Sequence, residues 1–346
     1  MPGEPLDKPA PVAAAVGVNA NTTCTCQADF HRQWGHLRDP HVRTLAWLLS
    51  APDLLDLQAP QWRGLIATFD DAPDRATFDW LAALDAAPAA LHAFLDVGPF
   101  TRLGRYAEKL LAFYFRHQRT LFAHGIQVRA SKGDTVGEFD FLLWRATAHG
   151  TALLHWEFAT KFYLLEASGD GLEADYFVGP NLADTLGAKM RKILNRQLAL
   201  AQHPAAQMHL PQPVASAQAL LKGWLFYHDD DPVPPPSMGL SPAHCRGFWC
   251  TLPEFSAVPP VPGERLAILP RLSWLAPARV EFAAALDKSQ LQQALAAHFA
   301  QSSMPVLVAL LQPHQDALLE SRRGFIVSDD WRSRAHQRRS LLALSK

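Results

Sequence analysis

Cysteine is scarce in this chain. Its 346 residues include four, Cys24, Cys26, Cys245 and Cys250. No disulfide framework can organise a chain of that length from so few, and a reduced, intracellular protein is the expectation. An excess of one charge is also missing: 32 Lys and Arg stand against 33 Asp and Glu, for a net charge of −1. A globally basic nucleic-acid binder is excluded, so any phosphate-binding surface must be local. Nor does any apolar run approach the roughly 20 residues that span a bilayer. The first residues carry Glu4, Asp7 and early prolines rather than the pattern of a secretory leader. A cytoplasmic protein without membrane contact is the simplest expectation. No Gly-x-Ser-x-Gly elbow, P-loop or Gly-x-Gly-x-x-Gly occurs, which leaves triad hydrolases, ATPases and dinucleotide binders without local support.

What is present is enough apolar material for a core: 49% of the residues are hydrophobic. Residues 1–28, rich in Ala, Pro, Asn and Thr, read as a disordered tail. A helical N-terminal region over 29–100 follows. Val42, Leu45, Ala46, Leu48 and Leu49 have helical spacing there, as do apolar residues from Trp80 to Leu95. The clearest helix is Leu103–His117, with Leu103, Tyr106, Ala107, Leu110, Leu111 and Tyr114 in one stripe and Glu108 on its flank. Strands are expected at 126–128, at Phe139–Trp144 and at Leu153–Leu165, all rich in aromatic or branched residues. A helix over Ala183–Ala201 and a strand over Gly223–His228 complete a central unit spanning 101–230. Residues 231–265 read as a proline-rich loop. An α/β extension over 266–346 contains a broken strand at 267–275, a helix at 289–300, strands near 305–311 and 324–327, and a basic tail. The alternation of helix and strand makes the chain α/β.

The stretch that carries chemistry is Gly137-Glu138-Phe139-Asp140-Phe141, followed by Trp156-Glu157-Phe158-Ala159-Thr160-Lys161. Side chains alternate along a strand, so Glu138 shares a face with Asp140, and Glu157 shares one with Lys161. A hairpin between the two runs lets Asp140 approach Glu157. Two close carboxylates repel unless a cation neutralises them, and Mg²⁺ or Mn²⁺ accepts such oxygen ligands. Such a metal would activate water, Lys161 would position it, and Glu108 would add a further carboxylate. The plain alternative is a solvated sheet face on which Lys161 pairs with Glu157.

This succession of an acid on a helix, an acid on a strand, then acid and lysine on the next strand resembles the PD-(D/E)XK nuclease superfamily, whose core runs α-β-β-β-α-β. The surrounding sequence is closer still to a bacterial family, domain-of-unknown-function family 1853, grouped with that superfamily. The likeness rests on 39–49, 137–141, 156–163, Gly179-Pro180-Asn181-Leu182-Ala183-Asp184 and 323–327. It implies a restriction-endonuclease-like mixed sheet flanked by helices. It further implies metal ligands at Glu108, Asp140 and Glu157, a catalytic group of Asp140, Glu157 and Lys161, and hydrolysis of phosphodiester bonds in nucleic acid, DNA first. A nuclease fold that only binds nucleic acid or protein is the alternative. One departure stands out: the superfamily's second acid lies two residues before the lysine, where this chain has Ala159. Glu157 keeps the same face but stands about 7 Å further along the strand.

Lys189, Lys192 and Arg196 lie three or four residues apart and would share a helix face suited to nucleic acid; the resemblance to these nucleases implies an assisting role for Gln197. An ordinary solvated face is the competing reading. Cys24, Cys26, His244, Cys245 and Cys250 lack the spacing of a zinc knuckle. His31, His36 and His41 read as surface residues, and His155 as off the catalytic face. Trp144, Trp156, Phe162 and Tyr163 read as core.

Overall fold

Residues 25–69, 73–95, 102–168, 173–229, 231, 234–235 and 238–344 are described by a computed structural model. Among the described residues five α-helices come first: α1 (Thr25–Trp34), α2 (Pro40–Ser50), α3 (Arg75–Ala86), α4 (Ala89–Leu95) and α5 (Leu103–His117). Residues 25–28, expected in the tail, belong to α1. Cys26, Phe30 and Trp34 recur every fourth position and bury one stripe, which holds the helix in place. The rest of the expected tail, with Cys24, lies outside the described residues. Asp39 caps α2 by accepting from the His41 and Val42 amides, and Pro40 sits at its first turn. The helical pattern expected over 80–95 is two helices, because Pro88 cannot continue the backbone ladder.

Next come β1 (Leu121–Ser131), β2 (Asp134–Thr147), β3 (Gly150–Leu165), β4 (Phe177–Val178), α6 (Leu186–Lys192) and β5 (Val214–Tyr227). The first strand is longer than 126–128, since pairing with β2 extends it through His124 and Gly125, where the apolar pattern is weak. The helix expected over 183–201 is short. It passes at Ile193 into a π-helical turn ending at Gln197. The loop expected over 231–265 contains two further elements, β6 (Cys245–Thr251) and α7 (Leu252–Ala257). Parallel pairing with both neighbours stabilises β6, and a capping box between Thr251 and Glu254 starts α7. The chain ends with β7 (Arg265–Ile268), β8 (Arg279–Val280), α8 (Lys288–Phe299), β9 (Val306–His314), β10 (Ala317–Val327) and α9 (Trp331–Leu344). The basic tail is therefore a helix, anchored by buried Trp331 and Ala335.

All ten strands form one mixed sheet in the order β1-β2-β3-β5-β6-β10-β9-β7, with β4 on β3 and β8 on β10. Pairing is antiparallel from β1 to β3, parallel from β3 through β5 and β6 to β10, and antiparallel again to β9 and β7. The sheet thus runs without interruption from the central unit into the C-terminal extension. Helices pack on both faces. Along β3, Trp156, Phe158, Phe162 and Leu164 join the large core that contains α2 and α5. Ala159, Tyr163 and Leu165 join a second core with Leu186 and Met190 of α6. Glu157 and Lys161 alternate with the first set and so lie on the α6 face. Among the described residues, no helix is long and apolar enough to cross a membrane.

Candidate metal centre

Asp140 sits where β2 changes its side-chain alternation. Phe139 and Leu142 point into a small cluster with Val128 and Leu200, whereas Phe141 and Leu143 enter the main core. This irregularity brings an acid of the sheet to the flank of α5. Carboxylate oxygens of Glu108, Glu138 and Asp140 all lie within 4.8 Å of one another. Asp140 is oriented by the Phe158 amide, which donates to its Oδ2 at 2.8 Å. Arg105, one turn before Glu108, reaches Glu138 at 3.9 Å. Gly125 closes the site from β1 with φ of 65°; a Cβ there would stand 3.7 Å from Glu138 and 3.8 Å from Glu108.

Three acids this close share an electrostatic penalty. Burial, then the charges of Asp140 and Glu138, push Glu108 up to about 7. Burial likewise raises Asp140 and carries Glu157 far above the ordinary carboxylate range, with Asp140 the second cause. The donor set fits a divalent cation. Ligand oxygens of an octahedral Mg²⁺ stand about 3 Å apart when adjacent and about 4.2 Å apart when opposite, so this trio would have to draw together to share one ion. Among the described residues this is the acid, His or Cys cluster with metal-ligand spacing.

Glu157 is not one of the three. It lies on the neighbouring strand, 2% exposed, with Oε1 accepting from Gln197 Nε2. Its Oε2 has no hydrogen-bond partner and stands 4.0 Å from His155 Nε2. His155 was expected off this face. Two residues from Glu157 on an unbroken strand, it shares the face instead, and burial lowers its pKa to about 4, so it stays neutral. Lys189 Nζ donates to Gln197 Oε1 at 3.1 Å, linking α6 to Glu157 through one amide. Lys161 turns elsewhere: its Nζ meets Asp184 Oδ2 at 2.7 Å, and the Tyr163 hydroxyl donates to the same oxygen at 3.2 Å.

A family model described as Domain of unknown function (DUF1853) matches residues 43–327. The chain belongs to this family. No curated protein and no solved structure matches it. The matched span starts within α2 and ends with β10, so in this DUF1853 member every element of the site lies inside the family region.

The other residues singled out from sequence divide clearly. Lys192 and Arg196 are exposed, whereas Lys189 turns inward, so the three do not share one surface. Trp156, Phe162 and Tyr163 are core, and Trp144 packs on Phe122 with ring centroids 5.4 Å apart. His31 and His41 are half-buried rather than on the surface. His31 bonds the Glu320 carbonyl at 2.9 Å, and His41 bonds the Tyr106 hydroxyl at 2.7 Å. Cys26, Cys245 and Cys250 are not joined in disulfides. Sequence reasoning missed Glu138 as a ligand, Gly125 as its neighbour and Asp184 as the partner of Lys161. Glu138 could have been found from its position two residues before Asp140. The other two depend on pairing between distant segments.

Proposed function

We propose that this protein is a metal-dependent nuclease that hydrolyses phosphodiester bonds in nucleic acid, with DNA as the first substrate to test. The observation that carries the reading is the convergence of Glu108, Glu138 and Asp140 under Gly125, with Glu157 buried alongside. The local order α5-β1-β2-β3-β4-α6-β5 supports it, because apart from the two-residue β4 it follows the α-β-β-β-α-β core of the PD-(D/E)XK superfamily that the sequence resembles. Glu108, Glu138 and Asp140 would hold Mg²⁺ or Mn²⁺. When bound, such an ion lowers the pKa of water and offsets charge on a phosphoryl group. The chain's own contribution is orientation. The Phe158 amide fixes Asp140 and Gln197 fixes Glu157, while Glu108, Glu138 and Asp140 stay partly open to the solvent that would supply the attacking water. Exposed Lys192 and Arg196 would bind the phosphate backbone by charge. We place the protein in the cytoplasm, where Cys26, Cys245 and Cys250, kept as thiols rather than disulfides, suit a reducing medium.

The test is cleavage of single- and double-stranded DNA and of RNA, with Mg²⁺ or Mn²⁺, by wild type and Asp140→Ala. Metal-dependent cleavage that disappears in Asp140→Ala is the expected result. Equal cleavage by both proteins would sink the assignment. A second reading, a nuclease fold that binds without cutting, draws on one observation: Lys161 is tied to Asp184 and not turned to the acids. Metal and nucleic acid bound tightly by the wild type, with no cleavage under any of these conditions, would favour it.

A further inference from the structure

A phosphodiester carries negative charge, and the site it would enter is lined by carboxylates. A cation must face those acids for the anion to be admitted. The sequence motif offers Lys161 for this task, but the fold commits that side chain elsewhere. Lys161 stands four residues from Glu157, about 13 Å along an extended strand. Its ammonium is held by Asp184 at 2.7 Å. Asp184 in turn belongs to a turn closed by the bond from the Gly179 amide to the Asp184 carbonyl at 2.9 Å. Helix α9 fastens the same turn: Trp331 Nε1 donates to the Pro180 carbonyl at 2.9 Å, and Arg338 Nε to the Leu182 carbonyl at 3.1 Å. The Lys161 ammonium is thus pinned from outside the acid cluster.

Helix α6 presents a second lysine. Its rotation about the sheet is set by a buried N-cap, Thr185, and by a two-pronged pair between Arg191 and Asp175 at 2.8 and 2.9 Å. Arg191 faces outward in that orientation. Lys189, two residues and about 200° away, therefore faces the sheet. In a straight α-helix Gln197 would stand about 80° from Lys189. The extra residue of the π turn at Ile193–Gln197 returns it to within about 20°, on the same face. Gln197 can then bridge, accepting from Lys189 Nζ and donating to Glu157 Oε1. The charge of Lys189 acts on both Glu157 and Asp140. A single irregular turn thereby places an ammonium, an amide and an acid in one row.

We propose that Lys189, not Lys161, is the ammonium that contacts the scissile phosphate, and that Gln197 is the positioning residue that aims it. The inference rests on the nuclease reading above. In the reaction, a water oxygen bonds to phosphorus as the phosphorus–oxygen bond to the sugar breaks. The water gives up one proton and the leaving oxygen takes one. Lys189 keeps its protons throughout and offsets charge on the phosphoryl oxygens.

The experiment compares the full chain carrying Lys189→Met, Lys189→Arg, Lys161→Met, Gln197→Leu or Asp140→Ala, each checked for folding by circular dichroism. Mn²⁺ affinity is measured by calorimetry and electron paramagnetic resonance, and kcat and KM on the DNA that the wild type cleaves. Removing a cation that faces the acids tightens Mn²⁺ binding, by about tenfold for Lys189→Met, while Lys161→Met stays within about twofold of wild type. Lys189→Arg, which keeps the charge, returns to the wild-type affinity. Cleavage falls chiefly in kcat for Lys189→Met and in part for Gln197→Leu, and survives in Lys161→Met. Were Lys161→Met to shift Mn²⁺ affinity and abolish cleavage while Lys189→Met did neither, the inference would be overturned with the nuclease reading intact. Undiminished Mn²⁺ affinity in Asp140→Ala would overturn the nuclease reading and this inference with it.

Discussion

Glu108 shows how a single side chain records the site around it. On a solvated helix flank a glutamate ionises near 4.5, and here it is held up to about 7. The sign of the consequence follows directly. Between those two values the folded protein keeps a proton that the unfolded chain releases, so this group makes the metal-free fold less stable as pH rises through that window. Wild type without metal should therefore lose thermal stability relative to Glu108→Gln as pH climbs from about 4.5 to 7. Added Mn²⁺ should erase the difference. A gap in melting temperature that stays constant over that range would show that burial beside Asp140 and Glu138 is not what perturbs Glu108. At this scale the sequence was partly legible. Asp140 and Glu157 could be named from strand alternation, because that period is local. The same period puts Glu138 beside Asp140, but its approach to Glu108 depends on how α5 lies across the sheet.

Between strands, two glycines carry the geometry. Gly223 of β5 lies beside Lys161 of β3 in parallel register, and a Cβ there would overlap the Lys161 backbone carbonyl. Backbone cannot swing aside as a side chain can, so Gly223→Ala should cost about 3 kcal/mol in chemical denaturation. A cost near zero would mean that β3 and β5 are not packed as described. Gly125 presents the opposite case. Its positive φ makes alanine strained by about 1 kcal/mol, yet the contacts of a Cβ with Glu138 and Glu108 are ordinary in length. Gly125→Ala should fold and bind Mn²⁺ more weakly than wild type in calorimetry; unchanged affinity would separate this glycine from the site. Long, strongly periodic elements such as α5 follow from sequence pattern at the observed bounds. The π turn after α6 does not, since one inserted residue leaves the apolar spacing almost unchanged while rotating everything beyond it.

Across the whole molecule, the N-terminal helices meet the C-terminal strands at a buried ion pair of β10, which Gln27 of α1 reaches. Arg323 and Glu320 of β10 meet at 2.6 and 2.7 Å with neither side chain exposed. Gln27 of α1 donates to the same carboxylate at 3.2 Å, the Ala278 amide donates at 2.9 Å, and Arg323 also reaches the Ala276 carbonyl at 2.8 Å. Removing the acid strands a buried guanidinium, so Glu320→Ala should cost about 3–5 kcal/mol, whereas replacing both partners with leucine should cost far less. Urea denaturation distinguishes the two; equal losses would mean that the charge itself is not the burden. This network also accounts for residues that resisted reading. Residues 25–28 look like tail in isolation, and β6 looks like loop, because each becomes regular only when a distant partner satisfies its backbone or covers its apolar stripe.

The sequence by itself determined the α/β class, the hairpin that carries Asp140 and Glu157, and the helix that carries Glu108. Those features rest on periods of 2 and 3.6 residues, which neighbouring positions are enough to establish. Only the tertiary structure decided that all ten strands share one sheet, that Glu138 completes the acid cluster, and that Lys189 rather than Lys161 faces the acids. Each of those outcomes depends on how a helix is rotated and seated against a strand far away in the chain, and no local period encodes that placement.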